Sequence, residues 1–141
     1  AMAGVVVVGV DGSESSGKAA RRAAEVAAAL GASLHVVTAY EGTAPEVIEV
    51  GSDVWMISSG DEANTMLDGV VAELRGIVET ITTDALEGKP ADILVSEAVQ
   101  MEATMIVVGN RRVQGIGRIL GSVATSVLHQ APCDVLVVKT V

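Results

Sequence analysis

The sequence of 141 residues predicts a single α/β domain, with a doubly wound parallel sheet of five strands covered by four helices. Short apolar runs of strand length alternate with segments that carry apolar residues at helical spacing. This alternation is typical of parallel sheets with helices on both faces. Half of the residues are hydrophobic, which is enough for a packed core, and no repeat or linker divides the chain. We therefore assign residues 1–141 to one domain.

The first strand and the first helix are marked by composition and by capping residues. Val5 to Val10 is an apolar run interrupted by no polar residue, as expected of a strand buried on both faces. Ser13 to Ser16 supply helix N-cap candidates, and an alanine-rich apolar stripe follows them. Gly31 is placed to end this helix as a C-terminal cap.

The second strand is predicted at Ser33 to Ala39, and a long segment without a pattern follows it. From Tyr40 to Ser59 no period is sustained, so we expect a long loop there. Ala63 to Leu74 then has 3-4-3-4 apolar spacing, which predicts an amphipathic helix.

The second half of the chain continues the alternation with three strands and two helices. Ile77 to Leu86 has polar residues on one side, which favours a position near a sheet edge, and Pro90 stands where the next helix begins. The other predicted elements are a helix over 91–101, a strand over 104–108, a helix over 120–131 and a strand over 134–138.

Composition excludes several classes of function. The net charge is −9, whereas nucleic-acid backbone binding needs a basic surface. No apolar run approaches the roughly 18 residues that a membrane span needs. We expect no signal peptide, and Cys133 has no second cysteine with which to form a disulfide. These features predict a cytoplasmic protein that binds neither nucleic acid nor membranes.

The segment Gly109 to Val123 is rich in glycine and arginine and lies between a predicted strand and a predicted helix. Such a segment can hold a phosphate, because glycines let backbone N–H groups approach an anion and a helix N-terminus adds partial positive charge. Three of the nine basic residues of this acidic chain lie here: Arg111, Arg112 and Arg118. The alternative is a solvated loop whose glycines, Gly109, Gly115, Gly117 and Gly121, only form turns.

Asp11 follows the first strand and is the second candidate site residue. In doubly wound sheets ligands bind beyond the carboxyl ends of strands, where the winding direction reverses. If the first and fourth strands are neighbours, Asp11 and the Gly109 segment border one crevice, and the carboxylate can hold a ribose hydroxyl or a metal. The alternative is an Asx turn or a helix cap.

Known phosphate and catalytic motifs are missing from the sequence. No Gly-Lys-Ser/Thr stands at P-loop spacing, and the dinucleotide pattern fails because Leu120 occupies its third glycine position. We expect His35, His129 and Cys133 to be structural, since no cluster of such residues has metal-ligand spacing. Nothing assembles into a catalytic group, so we expect no catalytic residues, no bound metal and no enzymatic activity.

Four stretches resemble the universal stress protein family along essentially the whole chain. They are Val-Val-Gly-Val-Asp-Gly-Ser at 7–13, Ile-Val-Val-Gly-Asn-Arg at 106–111, Leu-Gly-Ser-Val at 120–123 and Ala-Pro-Cys-Asp-Val-Leu-Val-Val at 131–138. The resemblance implies an adenine nucleotide alpha-hydrolase-like fold with strand order 3-2-1-4-5, which makes the first and fourth strands neighbours. It also implies a homodimer that pairs the last strands.

The ATP-binding branch of that family carries the motif G-x-x-G-x9-G-S/T, which this chain matches in part. Gly109 matches the first glycine, and Gly121 and Ser122 match the closing pair. Arg112 replaces the second glycine, and eight residues rather than nine separate it from Gly121. The Arg112 side chain can obstruct the path of a triphosphate, or it can contact phosphate directly.

The resemblance implies a nucleotide-binding set in which backbone donors hold phosphates and ribose, while Asp11 and the backbone of Ala39 hold the nucleoside. The concentration of cations in the segment adds Arg111 and Arg112, so the complete predicted set is Asp11, Ala39, Gly109, Arg111, Arg112, Gly121, Ser122 and Val123.

The preferred hypothesis is a stress-response regulatory module that binds an adenine nucleotide, ATP with or without Mg²⁺. Two alternatives remain. One is a scaffold that binds no nucleotide and acts through dimer and partner contacts. The other is a cAMP-binding protein, because the single phosphate of cAMP needs fewer contacts from the shortened loop.

Overall fold

A computed structural model of the chain describes residues 4–40, 48–50, 53–55, 60–111 and 120–141. Within these residues the elements in chain order are β1 Val5–Gly9, α1 Glu14–Leu30, β2 Ser33–Tyr40, β3 Ile48–Val50, β4 Asp53–Trp55, α2 Gly60–Leu74, β5 Ile81–Glu87, α3 Pro90–Met101, β6 Met105–Gly109, α4 Ser122–Gln130 and β7 Asp134–Val138.

The main sheet has five strands in the order β5-β2-β1-β6-β7. All four neighbouring pairs are parallel, and Val7 in the centre of β1 is paired with His35 of β2 on one side and with Ile106 of β6 on the other. Counted along the main sheet alone, this is the predicted order 3-2-1-4-5. The chain adds strands outward from β1 in one direction and then in the other, so the winding reverses between β1 and β6. The predicted fold class is confirmed.

Helices cover both faces of the sheet. Successive side chains of a strand point to opposite faces, so strands with continuous apolar runs offer an apolar surface to helices on each side. On one face α1 and α2 pack on Val6, Val8 and Val36 through the alanine stripe of α1 and the leucines of α2. On the other face α3 and α4 pack on Val7, Val37 and their neighbours. No helix in the described part of the chain is long and apolar enough to cross a bilayer.

Three capping signals of the sequence operate as predicted. Ser13 is the N-cap of α1, and its hydroxyl accepts a hydrogen bond from the backbone N–H of Ser16. Gly31 ends α1 in the left-handed conformation, with φ of 69°, which glycine adopts without steric cost. Pro90 occupies the first turn of α3, where its missing N–H leaves no helical hydrogen bond unmade.

Two predictions need correction. The third strand of the sheet begins at Ile81 and not at Ile77, because the N–H groups of Ile77 and Val78 donate to the carbonyl of Leu74 and so continue the end of α2 as a turn. In the segment expected to be a loop, β3 and β4 form a two-stranded antiparallel sheet. Strands of three residues are too short to show a period.

Candidate functional site

A cleft lies at the carboxyl ends of β1 and β6, where the winding of the sheet reverses. Its walls come from the turn between β1 and α1, from the end of β6 and from the first turn of α4. The lining residues are Gly9, Asp11, Ser13, Ser15, Ser16, Leu94, Val108, Gly109, Arg111, Val123 and Ala124. This is the position at which doubly wound sheets bind their ligands.

The Asp11 carboxylate is buried in the cleft and has partners on both oxygens. Oδ1 accepts a hydrogen bond of 3.0 Å from the backbone N–H of Ser13, which is the Asx turn considered from the sequence. Oδ2 forms an ion pair of 2.8 Å with Nη2 of Arg111. Asp11 is 7% exposed, whereas the Arg111 side chain is 32% exposed, so the ion pair joins a buried carboxylate to a partly exposed guanidinium. The structure therefore places the predicted carboxylate and a predicted cation in direct contact.

Hydrogen bonding and charge keep Asp11 ionised in spite of its burial. Burial alone raises the pKa of a carboxyl group. At Asp11 this effect is outweighed by hydrogen bonds from Ser13 and by the positive charge and hydrogen bond of Arg111, so its pKa lies below the ordinary 3.8. The site consequently carries one balanced pair of opposite charges at neutral pH.

The serines after Asp11 fix the shape of this turn. The backbone N–H of Asp11 donates to Ser16 Oγ at 3.2 Å, and the Ser16 hydroxyl donates to the carbonyl of Ser13 at 3.0 Å. Gly12 has φ of +85°, a conformation that residues with a β-carbon rarely adopt. The first turn of α1 is thus held against the cleft by local hydrogen bonds.

The end of β6 is joined to the C-terminal residues. Asn110 Oδ1 accepts hydrogen bonds from the backbone N–H of Thr140 at 2.8 Å and from that of Val141 at 3.3 Å. The Thr140 hydroxyl is 2.6 Å from that of Ser15. At Gly109 a β-carbon would lie 3.2 Å from Thr140 Oγ1, so this glycine lets β6 and the C-terminal residues approach closely. Sequence reasoning did not detect this contact.

The N-terminus of α4 supplies the opposite wall. Gly121 is its N-cap and offers no side chain to the first backbone N–H groups, and the first turn contains no acidic residue. At the N-terminus of α1, by contrast, the Ser13 hydroxyl is the cap and Glu14 lies in the first turn. Of these two helix ends, that of α4 has the less negative first turn, which favours an anion.

The structure brings together part of the predicted set. Asp11, Gly109, Arg111 and Val123 line the cleft, and Gly121 and Ser122 directly precede Val123. Ala39 does not line the cleft that the described residues form, but is buried with Ala63 at the carboxyl end of β2. Arg112 lies outside the described residues, as do Gly115, Gly117 and Arg118.

Ser15, Ser16 and Leu94 line the cleft but were not predicted as site residues. The two serines had a signal, because a run of hydroxyl residues directly follows the predicted strand. Leu94 had none, since one apolar position of an amphipathic helix looks like the others.

Comparison with known proteins shows that the chain is similar to universal stress proteins along nearly its whole length. The model of the universal stress protein family matches residues 2–139. A universal stress protein of Mycobacterium tuberculosis is 32% identical over 96% of this chain and 95% of its own length. One of Methanocaldococcus jannaschii is 35% identical over 95% of this chain and 81% of its own length.

Two similar solved structures contain a nucleotide. The crystal structure of a universal stress protein in complex with cAMP has a TM-score of 0.78 and 34% identity, and the match covers 100% of both chains. The universal stress protein from Archaeoglobus fulgidus in complex with dAMP has a TM-score of 0.72 and 26% identity, over 99% of this chain and 98% of that chain.

Proposed function

Because this chain belongs to the universal stress protein family, we propose that it binds an adenine nucleotide in the cleft between β1 and β6. The observation that carries the proposal is the convergence of the buried Asp11–Arg111 pair and the N-terminus of α4 on one cleft. The complexes of related proteins with cAMP and with dAMP support adenine as the base.

The Asp11–Arg111 pair gives the ribose and the phosphate of a nucleotide one charged partner each. A ribose hydroxyl donates to Asp11 Oδ2 in place of Arg111, and the guanidinium then turns to the phosphate. Arg111 keeps an anionic partner throughout, and Asp11 stays hydrogen-bonded to the ribose hydroxyl and to the N–H of Ser13, so neither group is left buried without a polar partner. In the set that the family resemblance implies, Gly121, Ser122 and Val123 hold the phosphate through their backbone N–H groups at the N-terminus of α4. Gly109 and the backbone of Ala39 complete the set that the family resemblance implies.

ATP, with or without Mg²⁺, is the ligand that the sequence motif favours, and cAMP is the second candidate. Two observations favour a single phosphate. Arg112 and the missing residue before Gly121 alter the segment that would hold a triphosphate. The two nucleotides named in the related complexes, cAMP and dAMP, each contain one phosphate.

Calorimetric titration with ATP, ADP, AMP and cAMP tests the proposal and identifies the ligand. We expect saturable binding that Asp11→Asn weakens by about tenfold or more, since a hydrogen bond to a charged group contributes about 1.5–3 kcal/mol. Asp68→Asn is the matched control, because it removes the same charge from an exposed position on α2. If none of the four nucleotides binds, the scaffold alternative replaces this proposal.

Arg112→Gly separates the two roles of the arginine in the same titration. If Arg112 obstructs the triphosphate, the variant binds ATP more tightly, and restoring one residue before Gly121 tightens binding further. If Arg112 contacts phosphate, the variant loses about 1.5–3 kcal/mol of binding free energy. We expect the second result, because the segment Gly109 to Val123 concentrates cations in an acidic chain.

We further propose that nucleotide occupancy is a regulatory signal in a stress response rather than the start of a reaction. A switch of this kind requires different affinities for the nucleotide in two states of the protein. The Asp11 carboxylate is already engaged by Ser13 and Arg111, which does not favour a role as a general base. Incubation with ATP should therefore release no phosphate above background. The cytoplasmic localisation remains a prediction, which cell fractionation tests.

A further inference from the structure

A second polar cluster is buried beneath α3, away from the nucleotide cleft. His35 of β2 is 4% exposed and Glu97 of α3 is 5% exposed. The imidazole Nε2 lies 2.8 Å from Glu97 Oε1, and Nδ1 lies 2.7 Å from the hydroxyl of Thr82 on β5. Both ring nitrogens are thus engaged by residues from two different elements. The proposed nucleotide function uses none of these residues.

Asp84 adds a second carboxylate to this cluster. It is half-buried on β5, two residues after Thr82 and therefore on the same face of the sheet. One ligand atom each from His35, Asp84 and Glu97 lies within 4.8 Å of the others. Within the described part of the chain, the Asp84 carboxylate has no recorded hydrogen bond or ion pair. The cluster thus combines one imidazole nitrogen and two carboxylates, held by three elements of the fold.

We propose that His35, Asp84 and Glu97 form a binding site for a divalent transition-metal ion of the Zn²⁺ type. Zinc binds imidazole nitrogen and carboxylate oxygen at about 2.0–2.2 Å, so tetrahedral ligand atoms are about 3.3–3.6 Å apart. Nε2 of His35 and Oε1 of Glu97 are 2.8 Å apart, which is shorter than this value, and no separation in the set exceeds 4.8 Å. Small side-chain rotations therefore suffice to surround the ion, and water takes the fourth position.

Charge balance supports a divalent ion. Two carboxylates beside a neutral imidazole carry two negative charges, which a divalent ion neutralises. A protonated imidazole neutralises one of them. Glu97 is the buried carboxylate of the two, and a buried charge is costly unless it is paired or binds a metal. The ion can enter from the side of Asp84, because β5 is an edge strand of the sheet and this carboxylate is half-exposed.

Thr82 is the positioning residue of the proposed site. Histidines that bind metal usually donate their other ring N–H to a neighbouring acceptor, which fixes the tautomer and the orientation of the ring. In the metal-bound state Nδ1–H of His35 donates to Thr82 Oγ1, and the lone pair of Nε2 binds the ion in place of the present hydrogen bond between Nε2 and Glu97. Positions 35, 84 and 97 are far apart in the sequence, so no motif spacing indicated this cluster.

The test uses the nucleotide-free chain, so its result does not depend on the proposed nucleotide function. Co²⁺ is titrated as a spectroscopic probe and Zn²⁺ is then added in competition, with thermal unfolding followed in parallel. We expect visible absorption bands typical of four- or five-coordinate Co²⁺, their loss on addition of Zn²⁺, and a higher melting temperature with Zn²⁺. No bands and no shift up to about 1 mM metal would overturn the proposal.

Variants assign the signal to this cluster. Thr82→Val should weaken metal binding about 10–100-fold, and Asp84→Asn and Glu97→Gln should weaken it further. Asp84→Asn breaks no recorded hydrogen bond or ion pair, so this variant should fold. His129→Gln and Cys133→Ser are matched controls, because they remove the other histidine and the single cysteine, and binding should be unchanged. Binding that is lost in the controls but kept in Asp84→Asn and Glu97→Gln would place the metal elsewhere and refute the proposal.

Discussion

The Asp11 carboxylate has both a structural and a proposed ligand-binding role. Its two oxygens are engaged by the Asx turn and by Arg111 in the structure, so the residue stabilises the fold before any nucleotide binds. From the sequence, the turn and the ligand contact were alternative interpretations. In the structure Oδ1 accepts the hydrogen bond of the turn. Oδ2 is paired with Arg111, which a ribose hydroxyl can replace.

Asp11→Asn should destabilise the protein in a pH-dependent way. The folded-state pKa lies below 3.8, so the ionised carboxylate contributes stability above the unfolded-state value. That contribution is lost as the pH falls through the lower, folded-state pKa. We expect the variant to be about 1–3 kcal/mol less stable at neutral pH, and the difference to shrink below about pH 4. Urea unfolding at several pH values measures it.

The exposed variant Asp68→Asn again serves as the control, because it makes the same chemical change without breaking a buried ion pair. Its free energy of unfolding should stay close to that of the unaltered protein, as is usual for surface substitutions. A difference for Asp11→Asn that persists undiminished to about pH 3 would show that the carboxylate charge does not stabilise the fold.

The sequence predicted those site residues whose role depends on local chemistry. Asp11 and Gly109 were found because each directly follows an apolar strand, and strand ends bring such residues together. Leu94, and the pairing of His35 with Glu97, depend on the orientation of α3 over the sheet. That orientation is set by packing between elements distant in the sequence, which no local pattern records.

At the scale of elements, the turn between β1 and α1 depends on a glycine, and the helix contains another glycine in an ordinary conformation. Gly12 has φ of +85°, and a β-carbon there would lie 3.3 Å from Met66 Cγ. Gly17 lies in α1, with open space where a β-carbon would be added. Both positions are exposed, so the two alanine substitutions differ mainly in backbone conformation.

Gly12→Ala should lower the free energy of unfolding by about 1–2 kcal/mol, the cost of a left-handed conformation for a residue with a β-carbon. Gly17→Ala should raise it by about 0.5–1 kcal/mol, because alanine is the better helix former. Urea unfolding of the two variants measures both changes. Equal effects of the two substitutions would contradict the assigned conformation of the turn.

The sequence predicted the order and type of the long elements. It did not predict the short strands β3 and β4 or the start of β5. Hydrophobic periodicity and capping residues predicted five strands and four helices, because each is a local signal. The predicted start of β5 was wrong, because the residues of the turn after α2 continue the alternation of side chains that predicted the strand. The pairing of β3 with β4 had one signal that was not used, the Gly51-Ser52 pair between two β-rich stretches.

At the scale of the whole molecule, the two edges of the main sheet differ. β5 has the sequence Ile-Thr-Thr-Asp-Ala-Leu-Glu, and its polar residues protect it from pairing with other chains. β7 has the sequence Asp-Val-Leu-Val-Val and is apolar after its first residue. An exposed apolar edge strand is a site for association. We therefore expect another chain to pair with the edge formed by β7 and not with the edge formed by β5.

We expect a homodimer in which β7 of one protomer pairs with β7 of another. Sedimentation velocity at micromolar concentration should give twice the chain mass of 14.3 kDa. Hydrogen exchange identifies the interface, because pairing adds hydrogen bonds to N–H groups that face outward from β7. Exchange in β7 should become faster as the protein is diluted from about 100 µM to a concentration at which sedimentation shows dissociation, and β5 serves as the internal control with no such dependence. A monomer throughout this range, or equal protection of both edges, would contradict the pairing, since association by mass action through β7 alone must leave β5 unchanged.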